Sequence, residues 1–178
     1  MTQPIQIESK RLTLRELDVE DVSSRYKEWL DDPEVHQFLE TRFEDQTIER
    51  ITEFVESQRS RFDGFLLGIF IKESKIHIGN IKLGPINKNH RSAHISYFIG
   101  EKTSWGLGYA TEAVSCLTSW GFDVLNLARI EAGCHEQNFG SLKVLLNCGY
   151  EVEGFFRQSN LEQDGTRSGG FWLAKLKE

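Results

Sequence analysis

The stretch SWGLGYATEA (residues 104–113) decides the fold, because it joins a strand pattern to a helix pattern through two bare backbone positions. Gly106 and Gly108 stand two apart. Ala110, Ala113, Val114, Leu117 and Leu125 then recur on roughly one face of a helix running to about Leu125. A helix start leaves about four N–H groups without partners and carries partial positive charge. Glycines let the main chain turn tightly and approach a ligand with no Cβ in the way. A strand, such a loop and a helix form a cradle for a phosphate or diphosphate. The same glycines also suit a plain strand-to-helix turn, and spacing alone leaves both readings open. A Walker loop is excluded because no Gly-Lys-Ser/Thr ending follows. A dinucleotide fingerprint is excluded because Thr111 fills the third glycine position.

Outward from the loop, the period tells the elements apart. Upstream, FLLGIFI (65–71), IHIGNIKLGPI (76–86) and AHISYFI (93–99) read as consecutive strands; the short turns between them make antiparallel neighbours. RLTLRE (11–16) alternates like a strand. Asp18 is placed to cap a helical segment with Val19, Val22, Tyr26, Trp29 and Leu30, which Asp32-Pro33 stops or restarts. Thr47 caps a second helix carrying Ile48, Ile51, Val55 and Phe62. Downstream, RIEAGC (129–134) is a strand. Asn138 caps a helix with Leu142, Leu145 and Leu146 that ends at Gly149. YEVEGFF (150–156) and GFWLAKL (170–176) are the last strands, separated by a polar loop turning at Gln163-Asp164-Gly165. This order predicts an α+β fold on a mixed sheet.

The chain has 178 residues, with no repeat or linker, so residues 1–178 are expected to form one domain. It is 39% hydrophobic and 27% charged, ordinary globular values, with a net charge of −6 that argues against a nucleic-acid surface. No apolar run approaches the about 18 residues of a membrane span, and MTQPIQIESKRL lacks a signal peptide's apolar stretch. Cys116, Cys134 and Cys148 form no C-x-x-C pair, so neither a disulfide framework nor a zinc site is indicated, and a cytoplasmic setting is expected. His90 and His94 are four apart but fall at a turn and a strand start, so no metal site is read there.

The quoted stretch resembles the acyl-CoA diphosphate loop of the GNAT superfamily of N-acetyltransferases. The superfamily pattern Gln/Arg-x-x-Gly-x-Gly/Ala falls on Trp105, Gly106, Leu107, Gly108, Tyr109 and Ala110, with Trp105 departing from Gln/Arg. That departure resembles the Rim-type ribosomal-protein acetyltransferases. NFGSLKVLLNCGY (138–150) is similar to the superfamily's second block, and the likeness runs over almost the whole chain. It implies the GNAT fold, with six to seven mostly antiparallel strands, about four helices, and a splay between the fourth strand (93–99) and the fifth (129–134). It implies acetyl-CoA as co-substrate, its diphosphate on the amides of residues 106 to 111, Thr111 included. Its pantetheine arm would lie against the backbone of Phe98 and Ile99 and against Asn138, which also suits a helix cap.

The implied reaction is direct attack of a primary amine on the thioester in a ternary complex. The amine must be neutral; an α-amine titrates at about 8 and a lysine at about 10. The backbone N–H near Ile99 is implied as the donor to the thioester carbonyl. Leu145 fills the position where many relatives carry a tyrosine, and Ser141 is the expected donor to the departing sulfur. A local helix-turn role for Ser141 stays open. Glu101, Glu131 and His94 are the candidate bases, each equally readable as a surface or structural group; Glu112 is read as a packing or capping residue. A protein N-terminal α-amine is the first acceptor expected. Nucleotide-linked amino sugars, polyamines and aminoglycosides are the alternatives, and a non-catalytic acyl-CoA-binding module stays open beside them. The helical segment 18–62, with the acids and aromatics of residues 29–43, and the loop 157–169 are expected to grip the acceptor. Ser168, Gly169 and Gly170 stand where the Rim-type subgroup carries an acid, which loosens the transfer of acceptor identity. The resemblance implies no metal and no nucleic-acid or membrane partner, and a homodimer is compatible with it.

Overall fold

The computed structural model describes residues 4–178, which form a single eight-stranded sheet with helices on both faces. The strands are β1 (Gln6–Glu8), β2 (Leu12–Glu16), β3 (Phe65–Ile71), β4 (His77–Asn87), β5 (Ser92–Ile99), β6 (Arg129–His135), β7 (Glu151–Leu161) and β8 (Arg167–Leu176). Their order across the sheet is β1-β2-β3-β4-β5-β6-β8-β7. Every neighbouring pair is antiparallel except β5 and β6. The α-helices are α1 (Ser24–Asp31), α2 (Pro33–His36), α3 (Ile48–Arg59), α4 (Tyr109–Asp123) and α5 (Phe139–Asn147).

The sheet therefore has eight strands where the sequence predicts six to seven, and five α-helices where it predicts about four. The extra strand, β1, has three residues and buries only Ile7, too little for an alternation signal. The extra helix, α2, is one turn that starts where Asp32-Pro33 interrupts the pattern; Asp32 caps it through the Glu34 N–H. Asp18 does cap, but only a 3-10 turn over Val19–Asp21, because Asp21 answers with a bond to the Asp18 N–H and pairs with Arg15. A second cap at Ser23 then starts α1. Phe62 lies beyond α3 and is 87% exposed. The loop predicted over 157–169 contracts to a turn between Leu161 and Arg167, since β7 and β8 extend into it.

Alternation divides the side chains between two cores. Leu12, Leu14, Leu67, Ile69, Ala93, Ile95, Ile130, Ala132 and Leu173 join Ala113, Val114 and Leu117 of α4 and Leu145 of α5 in the larger one. Leu17 and Phe70 join Tyr26, Trp29 and Leu30 of α1, Val35 of α2 and Ile51 and Val55 of α3 in the smaller, with Phe98 packed against it. So α4 and α5 cover one face, and α1, α2 and α3 the other. Odd-numbered residues of β5 and even-numbered residues of β6 face α4 and α5; the alternate sets face α1 to α3.

The parallel contact between β5 and β6 is short. Ser92, Ala93 and His94 register with Arg129, Ile130 and Glu131, and the ladder stops there. Beyond it, five residues of β5 and four of β6 run on without pairing each other. The sheet is splayed at that point, as the resemblance implies for these two strands.

Candidate active site

The glycine loop lies at the open end of this splay. A 3-10 turn over Lys102–Ser104 follows β5, capped by the Glu101 carboxylate at the Thr103 N–H, and Trp105 ends it. The Trp105 indole donates to the Ile99 carbonyl at 2.8 Å, tying the loop back to the strand. Gly106 and Gly108 both take left-handed backbone, at φ +74° and +80°, where a side chain costs about 1–2 kcal/mol. A Cβ on Gly106 would meet nothing within 4 Å, so the loop's outer face is open. Gly108 caps α4 without a side chain, and the first bond into the helix runs from the Glu112 N–H to the Gly108 carbonyl at 3.1 Å. The N–H groups of Tyr109, Ala110 and Thr111 are thus left without helical partners. This arrangement fits an anionic diphosphate.

Two residues outside the loop hold it. Arg11 donates from Nη1 to the Leu107 carbonyl at 2.9 Å and from Nε to Glu112 Oε2 at 2.6 Å, with its guanidinium 4.4 Å from the Tyr109 ring centroid. Glu112 also accepts from the Arg11 N–H and from the Ser9 hydroxyl, at 2.6 and 2.7 Å. Burial pushes its carboxyl upward, but these bonds outweigh burial and hold it below the usual carboxylate range. Glu112 is therefore a structural clamp between α4 and the β1–β2 turn. Arg11 gave no motif in the sequence; its only signal was a cation at the start of a strand.

On the other side of the splay, Asn138 caps α5 by accepting from the Ser141 N–H at 3.0 Å. Ser141 Oγ lies 2.9 Å from the Tyr97 hydroxyl, which also approaches the Ser141 carbonyl at 3.2 Å. Burial pushes the Tyr97 phenol well above its ordinary range, so it stays protonated at neutral pH. Tyr97 escaped sequence reasoning because it reads only as an aromatic strand residue. Leu145 is 1% exposed and belongs to the core.

The carboxylates expected near the reaction are engaged. Glu131 accepts from Arg129 Nε at 2.5 Å and lies 3.4 Å from His94 Nε2, on the part of β6 still paired with β5. Glu101 caps the turn after β5 and lies 3.9 Å from Arg25 Nε. His94 packs edge-on to Trp172, 5.3 Å between centroids. No group of three or more His, Cys, Asp or Glu side chains suited to a metal ion occurs among the described residues.

Between the sheet and helices α1 to α3 opens a cavity of about 790 Å³. Apolar lining comes from Tyr26, Leu30, Phe38, Phe54, Leu66 and Phe98, and charge from Glu40, Glu44, Glu53, Arg50 and Lys82. It reaches Ser96 and Tyr97 on β5, beside the splay. Its size suits a small ligand or the end of a peptide. Phe98 sits in this lining, and its backbone is turned toward β4. The Gly100 N–H donates to the Ile78 carbonyl, and alternate residues of an antiparallel ladder point the same way. Ile99 then turns its N–H toward the splay, with its carbonyl held by Trp105.

Residues 11–151 match the family model of the acetyltransferase (GNAT) domain. The N-acetyltransferase p20 of Bacillus licheniformis is 35% identical over 156 residues, covering 84% of each chain. Among solved structures, spermidine N-acetyltransferase from Vibrio cholerae, in complex with CoA and spermine, superposes with a TM-score of 0.82 at 20% identity, over 94% of this chain and 96% of that one. A Vibrio cholerae structure assigned as a ribosomal-protein-serine acetyltransferase gives 0.79 at 20% identity, over 99% and 100%. At that identity the two structures show the fold.

Proposed function

Because the chain belongs to the GNAT acetyltransferase family and is an acetyl-CoA-dependent N-acetyltransferase, we propose that its acceptor is the α-amine of a protein or peptide N-terminus. On this reading residues 1–178 act as one domain of the Rim-type subgroup, and both substrates are held at once. The observation that carries it is the two-sided site: a glycine cradle and splay at one side of β5, and a separate cavity against α1 to α3 at the other.

The diphosphate is assigned to the amides of residues 106 to 111, with Trp105 fixing the loop and Arg11 adding positive charge beside it. The pantetheine arm is assigned to the unpaired ends of β5 and β6, near Asn138, with the Ile99 N–H as donor to the thioester oxygen. Phe98 contributes its ring to the acceptor cavity. Ser141 is assigned as the donor to the departing sulfur, and Tyr97, at 2.9 Å, steadies its hydroxyl.

The choice of an α-amine follows from proton chemistry. Glu131 and Glu101 are both tied to cations, so neither is a free strong base at the splay. An α-amine titrates at about 8, so about a quarter of it is neutral near pH 7.5, whereas a lysine or polyamine at about 10 is neutral in well under about 1% of molecules there. Glu40 and Glu44 pair with Arg42 and Arg50, which leaves Glu53 as the lining acid suited to the approach of an ammonium group, and the aromatic lining suits an apolar first side chain. An acid in the lining also favours a polyamine as the second reading. The test is release of free CoA with short peptides carrying a free N-terminus, the same peptides blocked at the N-terminus, spermidine and a nucleotide-linked amino sugar. Turnover of the free peptides and not the blocked ones is expected; turnover of spermidine alone would replace the α-amine reading with the polyamine one.

A further inference from the structure

One ionisable cluster stands beside the acceptor cavity and has no place in the chemistry so far. His135 is the last residue of β6, in the unpaired part of the splay. Strand alternation puts it on the face of Glu131, toward α1 to α3, whereas its neighbour Cys134 is buried in the larger core under α5. The ring packs 5.4 Å from Phe38, a cavity-lining residue, and the side chain is 12% exposed. Its Nδ1 is buried without a hydrogen bond and faces Glu162 Oε1 at 3.6 Å, beyond hydrogen-bond length and within ion-pair reach. Glu162 Oε1 is itself held by the Ser168 hydroxyl. The surrounding charges are otherwise committed. The Glu136 carboxylate accepts from the Gly169 N–H at 2.8 Å, and Arg42 donates to the Leu161 carbonyl at 2.9 Å. Nδ1 is thus the ring nitrogen turned to the carboxylate, and Nε2 lies on the far side of the ring.

A carboxylate facing Nδ1 favours the proton on that nitrogen and so favours Nε2 as the basic one. Burial beside a carboxylate with no hydrogen bond of its own is a poor arrangement for stability alone, since a buried polar atom without a partner forfeits its hydration. It suits a group that accepts a proton in use. The position is also complementary to Ser141. Tyr97 and Cys134, which neighbour Ser141, face α4 and α5; His135 faces the opposite side of the same splay. The cavity reaches His135 only through Phe38, which packs on its ring, so an amine entering past Phe38 would approach the His135 face of the splay while Ser141 stands on the other.

We infer that His135 is the general base of acetyl transfer, with Glu162 as its positioning residue and Ser168 holding Glu162. The amine nitrogen bonds to the thioester carbon while the carbonyl π pair moves to oxygen. The nitrogen's proton passes to His135 Nε2. Collapse of the tetrahedral adduct re-forms the carbonyl and breaks the C–S bond, the pair leaves on sulfur, and the thiolate, hydrogen-bonded by Ser141, takes a proton from water to give CoA. His135 then returns its proton to water. The net change is amine plus acetyl-CoA to amide plus CoA.

This inference rests on the acetyl-transfer reading of the splay and is independent of which amine the cavity takes. The experiment is the pH dependence of kcat/KM and kcat, with a short free-N-terminus peptide and separately with spermidine, for the wild type, H135Q, E162Q and S168A. His135→Gln should lower kcat about 100-fold and abolish the acidic limb of the profile, with the KM for acetyl-CoA little changed. Added imidazole should restore part of the rate to H135G. Glu162→Gln should lower kcat about tenfold, and Ser168→Ala less. A kcat for H135Q within twofold of wild type, or an acidic limb that survives in H135Q, overturns the inference. If H135Q fails to fold by circular dichroism, E162Q decides: an unchanged kcat overturns it. Should only spermidine turn over, the α-amine reading falls, and His135 is judged by the limb measured with spermidine.

Discussion

At the scale of single residues, the glycine loop follows β5 and Ser141 stands on α5 across the splay, so the binding and chemical roles proposed for them can be tested separately. Gly108 has φ +80°, and a Cβ there would meet Arg11 Nη2 at 3.5 Å, so the obstacle to substitution is backbone strain more than space. Gly108→Val should weaken acetyl-CoA by roughly tenfold or more in calorimetry, the effect of about 1.4 kcal/mol of lost fit. Ser141→Ala should instead leave that affinity within twofold and lower turnover roughly tenfold, about the value of one hydrogen bond to a developing charge. Equal affinity for G108V and wild type would remove the diphosphate from this loop. The left-handed turn at Gly106 and Gly108 and the helix start at Asn138 were legible in the sequence because they lie in contiguous motifs with a helix start as their physical context. His135 and Glu162 were not. They are 27 positions apart, and only the pairing of β6 with β8 and of β8 with β7 brings them together. Arg11 and Glu112, about a hundred positions apart, were hidden for the same reason.

At the scale of elements, α4 is aimed by a carboxylate as much as by its apolar stripe. Glu112 accepts from Ser9, from the Arg11 N–H and from the Arg11 side chain, joining the first turn of α4 to the start of β2. Its carboxyl is held below the usual range, so the stabilisation is full above the unfolded value of about 4.3 and is lost as pH falls through the folded one. Glu112→Gln should cost about 2 kcal/mol at pH 7 and flatten the fall of stability below pH 5, read from urea midpoints across that range. An unchanged midpoint at pH 7 would mean that packing alone seats the helix. Helices with long apolar stripes, α3, α4 and α5, were predicted with caps at Thr47 and Asn138 in place, because cap chemistry is local. The segment over residues 18 to 43 was legible only in part. There short turns compete, and the outcome depends on Arg15 pairing with Asp21 across six positions.

At the scale of the whole molecule, the mixed sheet and the order of elements along the chain follow from the sequence pattern, while the eighth strand, the place of β8 between β6 and β7 and the extended β7–β8 hairpin needed tertiary pairing to exist. Two cores on opposite faces meet at the splay between β5 and β6, and ligand binding there should stabilise the folded state. Acetyl-CoA at about a hundred times its Kd should add about 2.7 kcal/mol, a rise in Tm of roughly 5–10 °C for a chain of this size. No shift at that excess would count against the splay as its site. The contact of β5 with β6, only three residue pairs long, has a mechanical consequence. The sheet is two leaves bound along a narrow spine, one of β1 to β5 and the other of β6 to β8, with α4 and α5 as the cover. A pantetheine arm between the leaves would replace the missing rungs, so that loading the cosubstrate stiffens both leaves together and sets the spacing at which the acceptor is met.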